Sequence, residues 1–108
     1  MSIKLDMSVI TPIINIMKEN ITDIISDVDI SGNNLESREN IINSIKNYLD
    51  GDGISKKYYK YDVVYNKEGS TDDKISMWVL IKFIPGQMDW VRLSLSIYKK
   101  EKNDGLNQ

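Results

Sequence analysis

Lys74-Ile75-Ser76-Met77-Trp78-Val79-Leu80-Ile81-Lys82-Phe83-Ile84 decides the fold. Ile75, Met77, Val79, Ile81 and Phe83 fall at every second position, the period of a strand with one buried face. The same alternation runs through Val91, Leu93, Leu95 and Ile97 after this stretch, and through Tyr59, Tyr61, Val63 and Tyr65 before it. Three such runs predict a three-stranded antiparallel sheet over roughly 56–66, 74–84 and 90–100. Keeping the odd-numbered residues on one face restricts the pairing. Ile84 opposite Trp90 leaves a five-residue hairpin loop, and Tyr65 opposite Ile75 closes the earlier hairpin. That register places Phe83 beside Val91, Ile81 beside Leu93 and Trp78 beside Ser96.

The other face of this sheet is not plainly polar. Trp78, Leu80, Ile84, Trp90 and Tyr98 lie on it, with Val64 on the neighbouring strand. A contiguous apolar patch on a small domain marks a binding surface, and tryptophan and tyrosine are favoured anchors. These six residues are the expected contact for a protein partner or a second copy of the chain. The competing expectation is that residues 3–9 or the polar tail fold over the face.

Upstream, the apolar period changes to that of a helix. Thr11-Pro12 reads as a helix start, with threonine as cap and proline at the first helical position. Ile10, Ile14, Met17, Ile21, Ile24 and Val28 form a stripe that Ile13, Ile16 and Ile25 widen. Ser31-Gly32-Asn33-Asn34 ends it. A second helix runs from 35 or 37 to 49, with Ile41, Ile42, Ile45, Tyr48 and Leu49 on one face and Gly51 as a left-handed C-terminal residue. The expected fold class is α+β, a two-layer domain in the order α-α-β-β-β. A helical hairpin at about 11–49 packs on a three-stranded meander at about 56–100, and 101–108 form a polar tail. At 108 residues the chain reads as a single domain.

Composition narrows the chemistry. The chain has no histidine and no cysteine, which removes the usual general base, thiol nucleophiles, disulfides and zinc–sulfur sites. No serine nucleophile motif and no glycine-rich phosphate loop occur. The start lacks a basic segment followed by an apolar core, so no secretory signal is expected. No apolar run approaches the ~18 residues of a membrane span. Alanine is absent, while isoleucine, lysine and asparagine are abundant, a bias that AT-rich codons produce. The expectation is a non-enzymatic interaction or assembly module without a cofactor or small-molecule substrate. A viral or phage protein fits, in the host cytoplasm or inside a virion.

Charge is uneven. Residues 1–53 carry nine acids and four bases, and residues 54–108 carry seven acids and ten bases. The acidic half opens a rival expectation, a small inhibitor that blocks an enzyme with Asp23, Asp27, Asp29, Glu36, Glu39 and Asp50. A third is a single-stranded nucleic-acid binder. It rests on Lys56, Lys57 and Lys60 among tyrosines, and on Lys82 and Arg92 lying across from each other near Trp78 and Trp90. The overall acidic balance weighs against it. Carboxylate catalysis by Asp72 and Asp73, or by Asp23, Asp27 and Asp29, would need buried groups; the expectation is solvated charge.

Asp27-Val28-Asp29-Ile30-Ser31-Gly32-Asn33 places oxygen-bearing side chains at alternate positions with glycine sixth, and resembles the start of an EF-hand calcium loop. The resemblance implies Asp27, Asp29, Ser31 and Asn33 as calcium ligands. It departs at Arg38, where the bidentate glutamate belongs, and at Asn34, where an apolar residue belongs. A helix-ending turn is the competing expectation.

Overall fold

The computed structural model describes residues 6–51 and 58–100. Two helices, α1 (Met7–Ser26) and α2 (Leu35–Leu49), precede three strands, β1 (Lys60–Tyr65), β2 (Lys74–Lys82) and β3 (Val91–Tyr98). The strands form one antiparallel sheet in the order β1-β2-β3. The α+β arrangement is the one expected. The predicted strand start at 56 and the tail 101–108 lie outside the described residues.

One apolar cluster joins the two layers. Ile10, Met17, Ile21 and Ile25 of α1 and Ile41, Ile45 and Leu49 of α2 meet the odd-numbered residues of the sheet. Ile75, Met77, Val79 and Ile81 are fully buried at the centre. α1 packs on α2 and β3, and α2 packs on β1. Each apolar side chain fully buried here stabilises by roughly 1.5–3 kcal/mol, which gives the period-two pattern its power over the fold. The exception on α1 is Ile16, which is 55% exposed rather than part of the stripe.

α1 begins a turn earlier than expected. Asp6, not Thr11, caps it, accepting from the Ser8 N–H at 3.1 Å and the Ser8 hydroxyl at 2.7 Å. Pro12 therefore lies inside the helix, where a proline costs about 3 kcal/mol. The added turn buries Ile10, worth roughly 1.5–3 kcal/mol, and the Asp6 cap assists it. α2 starts at Asn34, whose Oδ1 accepts from the Ser37 N–H at 2.8 Å. Its end differs from expectation: Gly51 is not left-handed, because Asp50 continues the right-handed turn, the Asp50 N–H donating to the Lys46 carbonyl at 2.8 Å and the Gly51 N–H to the Tyr48 carbonyl at 3.2 Å.

Both hairpins keep the expected faces but pair two residues further along. Ile81 faces Val91, Val79 faces Leu93 and Trp78 faces Ser94. Tyr65 faces Met77 rather than Ile75. A shift of two preserves which side chains are buried. The cause at β2–β3 is Gln87, which is buried and takes over ladder bonds. The Phe83 N–H donates to its Oε1 at 2.7 Å, and its Nε2 donates to the Asp89 carbonyl at 2.6 Å and the Ile81 carbonyl at 3.4 Å. At β1–β2 the cause is Ser70. Its hydroxyl donates to the Asn66 carbonyl at 2.8 Å and accepts from the Ser76 N–H at 2.9 Å.

Tyrosines fasten the sheet to the end of α2. Tyr58 donates to the Leu49 carbonyl, and Tyr61 donates to Asp50 Oδ1 at 2.8 Å. Tyr59, expected in the core, is 55% exposed. It precedes the first paired residue of β1, and Tyr58 turns inward in its place.

Candidate functional site: the outer face of the sheet

The even-numbered side chains of the strands lie opposite the helices. Val64, Trp78 and Leu80 are half-buried, yet none belongs to the core or packs against it; Ile84 is half-buried too but lies past the end of β2, where no strand pairing assigns it to this face. Among the described residues no helix or strand covers this face. Of the segment 3–9 expected as a cover, Met7, Ser8 and Val9 are part of α1, while residues 3–5, like the tail, lie outside the described residues.

Register arranges the face in rows across the sheet. Lys60 lies beside Lys82, Asp62 beside Leu80 and Arg92, Val64 beside Trp78 and Ser94, and Ser76 beside Ser96. The loop 66–73 curls over the Ser76 row. The Asn66 Nδ2 donates to Ser76 Oγ at 3.2 Å, and a Cβ at Gly69 would come within 2.5 Å of that same nitrogen. Glycine at 69 is what permits the close approach. One end of the face is thus roofed, and among the described residues no helix or strand covers the end carrying Trp90.

Three cations line the open end. Arg92 lies over the Trp78 ring at 4.7 Å, and Lys82 and Lys60 lie 4.9 and 5.5 Å from the Trp90 ring centre. Such contacts contribute about 0.5–1 kcal/mol each at exposed sites and hold the rings in place. Lys82 and Arg92 are not directly opposed as expected, because the two-residue shift pairs Arg92 with Leu80. Asp62 is the one carboxylate in these rows. In the sequence Lys60 belongs only to the nucleic-acid alternative, among Lys56, Lys57 and the tyrosines; the register sets it beside Lys82, with its ammonium at the Trp90 ring.

The structure brings Val64, Trp78, Leu80 and Trp90 into one region but leaves Tyr98 apart. Tyr98 pairs with Lys74, four residues along from the Trp78 row, roughly 13 Å away. It is 65% exposed and borders a hollow between β3 and the end of α1, beside Thr22, Ile25 and Val28.

The calcium-loop residues do not converge. Asp27 is the C-terminal cap of α1, and Asp29 pairs with Lys100 at 2.9 Å. Ser31 Oγ accepts from the Asn34 amide at 3.2 Å. Asn33 turns into the sheet loops, donating to the Tyr65 hydroxyl at 2.9 Å and the Thr71 carbonyl at 3.0 Å, with its Oδ1 buried and unpaired. Among the described residues no cluster of three or more carboxylates suits a metal ion. Asp23, Asp27, Asp29, Asp72 and Asp73 are all exposed.

Three phenols are displaced from their ordinary acidity. Burial, and then the nearby Asp50, pushes Tyr58 up. Burial pushes Tyr61 up to about 12, with its hydrogen bond to Asp50 adding to the effect. Tyr65 is held below its ordinary value, first by the Asn33 amide and then by Ser70, with Arg38 over its ring at 4.7 Å. Tyr61 and Tyr65 both serve joints between the layers and lie away from the tryptophans. Comparison with protein-family models, curated proteins and solved structures finds no match to this chain.

Proposed function

We propose that this chain is a non-catalytic interaction or assembly module that docks a partner protein through the outer face of its sheet. The supporting observation is the strip of Val64, Trp78, Leu80 and Trp90, which lies apart from the core and under no other element among the described residues. Two tryptophans held outside the core stabilise a small fold less than core burial would, and a partner that removes the rest of their surface from water gains from them directly. The alanine-free, isoleucine-rich composition supports a viral or phage setting, in a host cell or a virion.

The acidic-inhibitor reading has weaker support. Its carboxylates do not make one continuous surface, since Asp50 lies about 21 Å along α2 from Glu36 and Asp29 is neutralised by Lys100. The test of the docking reading compares capture of proteins from the native source by the wild type and by Trp90→Asp, with both shown folded. A protein retained by the first and lost by the second supports it, and identical retention overturns it.

A further inference from the structure

If the outer face docks a protein, its electrostatics restrict which kind. Among the described residues, Lys60, Lys82 and Arg92 surround Trp78, Leu80 and Trp90, and Asp62 is the one carboxylate in the paired rows. We infer that the partner segment is acidic and studded with apolar side chains. Its carboxylates meet the three cations, and its apolar groups cover Leu80 and Trp90. The inference rests on the docking reading above and adds the chemistry of the partner.

Two other occupants fit less well. A second copy docking the same face would set Lys60, Lys82 and Arg92 against their own counterparts, and like charges brought together at an interface cost several kcal/mol. A single-stranded nucleic acid needs a track of cations beside freely exposed stacking rings. Here Trp78 is half-buried under Arg92, Trp90 alone is more than a third exposed, and Asp62 interrupts the cations.

The only two tryptophans of the chain, Trp78 and Trp90, both stand on this face, so its occupancy is visible in their emission. The full chain is titrated with a short labelled peptide alternating glutamate and leucine, with a matching lysine–leucine peptide and with oligothymidylate. Tryptophan emission and probe anisotropy are followed together. The expected result is saturable binding of the glutamate peptide with a change in emission, weakening as salt rises, and far weaker binding of the lysine peptide. Lys82→Glu with Arg92→Glu should weaken it about tenfold or more at low salt. Lys82→Gln with Arg92→Gln repeats the measurement with a milder change, each variant being checked by circular dichroism.

Equal binding of the two peptides, or no binding of the glutamate peptide, overturns the charge preference and leaves the docking reading standing. Tighter binding of oligothymidylate overturns the inference in favour of nucleic acid. Emission that changes with protein concentration alone overturns it in favour of self-association. Binding seen by anisotropy without any change in emission places the contact elsewhere and counts against the docking face itself.

Discussion

The two faces of one sheet obey the same alternation and have opposite fates. Ile75, Met77, Val79 and Ile81 point inward and are fully buried under both helices. Trp78 and Leu80, interleaved with them on the same strand, point outward and are half-covered by neighbours such as Arg92. Equal hydrophobicity therefore does not mean equal role. The inner face is defined by what the chain itself brings to it, and the outer face by what it does not. Only the first should be essential for folding, and that asymmetry can be attacked directly.

The largest effect belongs to the inner face. Ile81→Asp places an unpaired charge where nothing can solvate it. A cost of about 4–5 kcal/mol or more is expected, against a total stability of roughly 5–15 kcal/mol for a domain of this size. Chemical denaturation should show no cooperative transition. A folded Ile81→Asp protein would mean that the two faces have been exchanged.

Next comes the end of β2, where the two faces meet the hairpin loop. Gln87→Leu keeps most of the side-chain volume but leaves the Phe83 N–H without its acceptor and the Asp89 and Ile81 carbonyls without their donor. Buried groups left unpaired cost about 1–3 kcal/mol. The midpoint of urea unfolding should fall accordingly. An unchanged midpoint would show that the loop re-pairs by itself, and that Gln87 does not hold the register.

A smaller, pH-selective effect is expected where Tyr61 ties the sheet to α2. Its folded-state value of about 12 stands above the ordinary 10.0, because burial and the Asp50 contact disfavour the phenolate. The proton leaves the unfolded chain first. Stability is therefore intact below about pH 10 and lost as pH rises through 12, and Tyr58 acts in the same direction. Melting temperatures across this range should fall more steeply for the wild type than for Tyr61→Phe; parallel curves would remove the assignment.

Within the paired strands, which face is which was legible in the sequence, because there a face depends only on the parity of residue numbers; just before β1 the rule fails, and Tyr58 rather than Tyr59 turns inward. The partners across the strands were not legible. Loop length alone favours a five-residue turn between Ile84 and Trp90, and it says nothing of Gln87 folding inward to replace backbone partners, or of Ser70 doing so at the other hairpin. Helix α1 was misjudged for a similar reason. Thr11-Pro12 carries a start signal, but the burial of Ile10 and the Asp6 cap offset the proline and carry the helix back to Met7. At the candidate site, parity put Val64, Trp78 and Leu80 on one face with Trp90 near them, while Ile84 lies past the paired strand where parity no longer decides. Parity also included Tyr98, which only the register reveals to be four residues from the Trp78 row. Lys60 was legible as a cation of the first strand but not as a neighbour of Trp90, because that depends on the register across all three strands.

The smallest effect on stability, and the most telling, belongs to the outer face. Trp90 is 39% exposed and lies beyond the last paired residue, so Trp90→Ser should change stability by no more than about 0.5 kcal/mol. Trp78→Ser removes a half-buried ring from the centre of the sheet and should cost more, roughly 1–2 kcal/mol. The double variant should still unfold in one cooperative transition while losing the partner that the wild type retains. A double variant that has lost its cooperative transition would make these tryptophans part of the fold's own interior, and the distinction between the two faces would fail. A double variant that folds and still holds the partner would leave the distinction intact but move the docking site off the sheet. Folding retained together with binding lost is the one combination that a face built for another molecule requires.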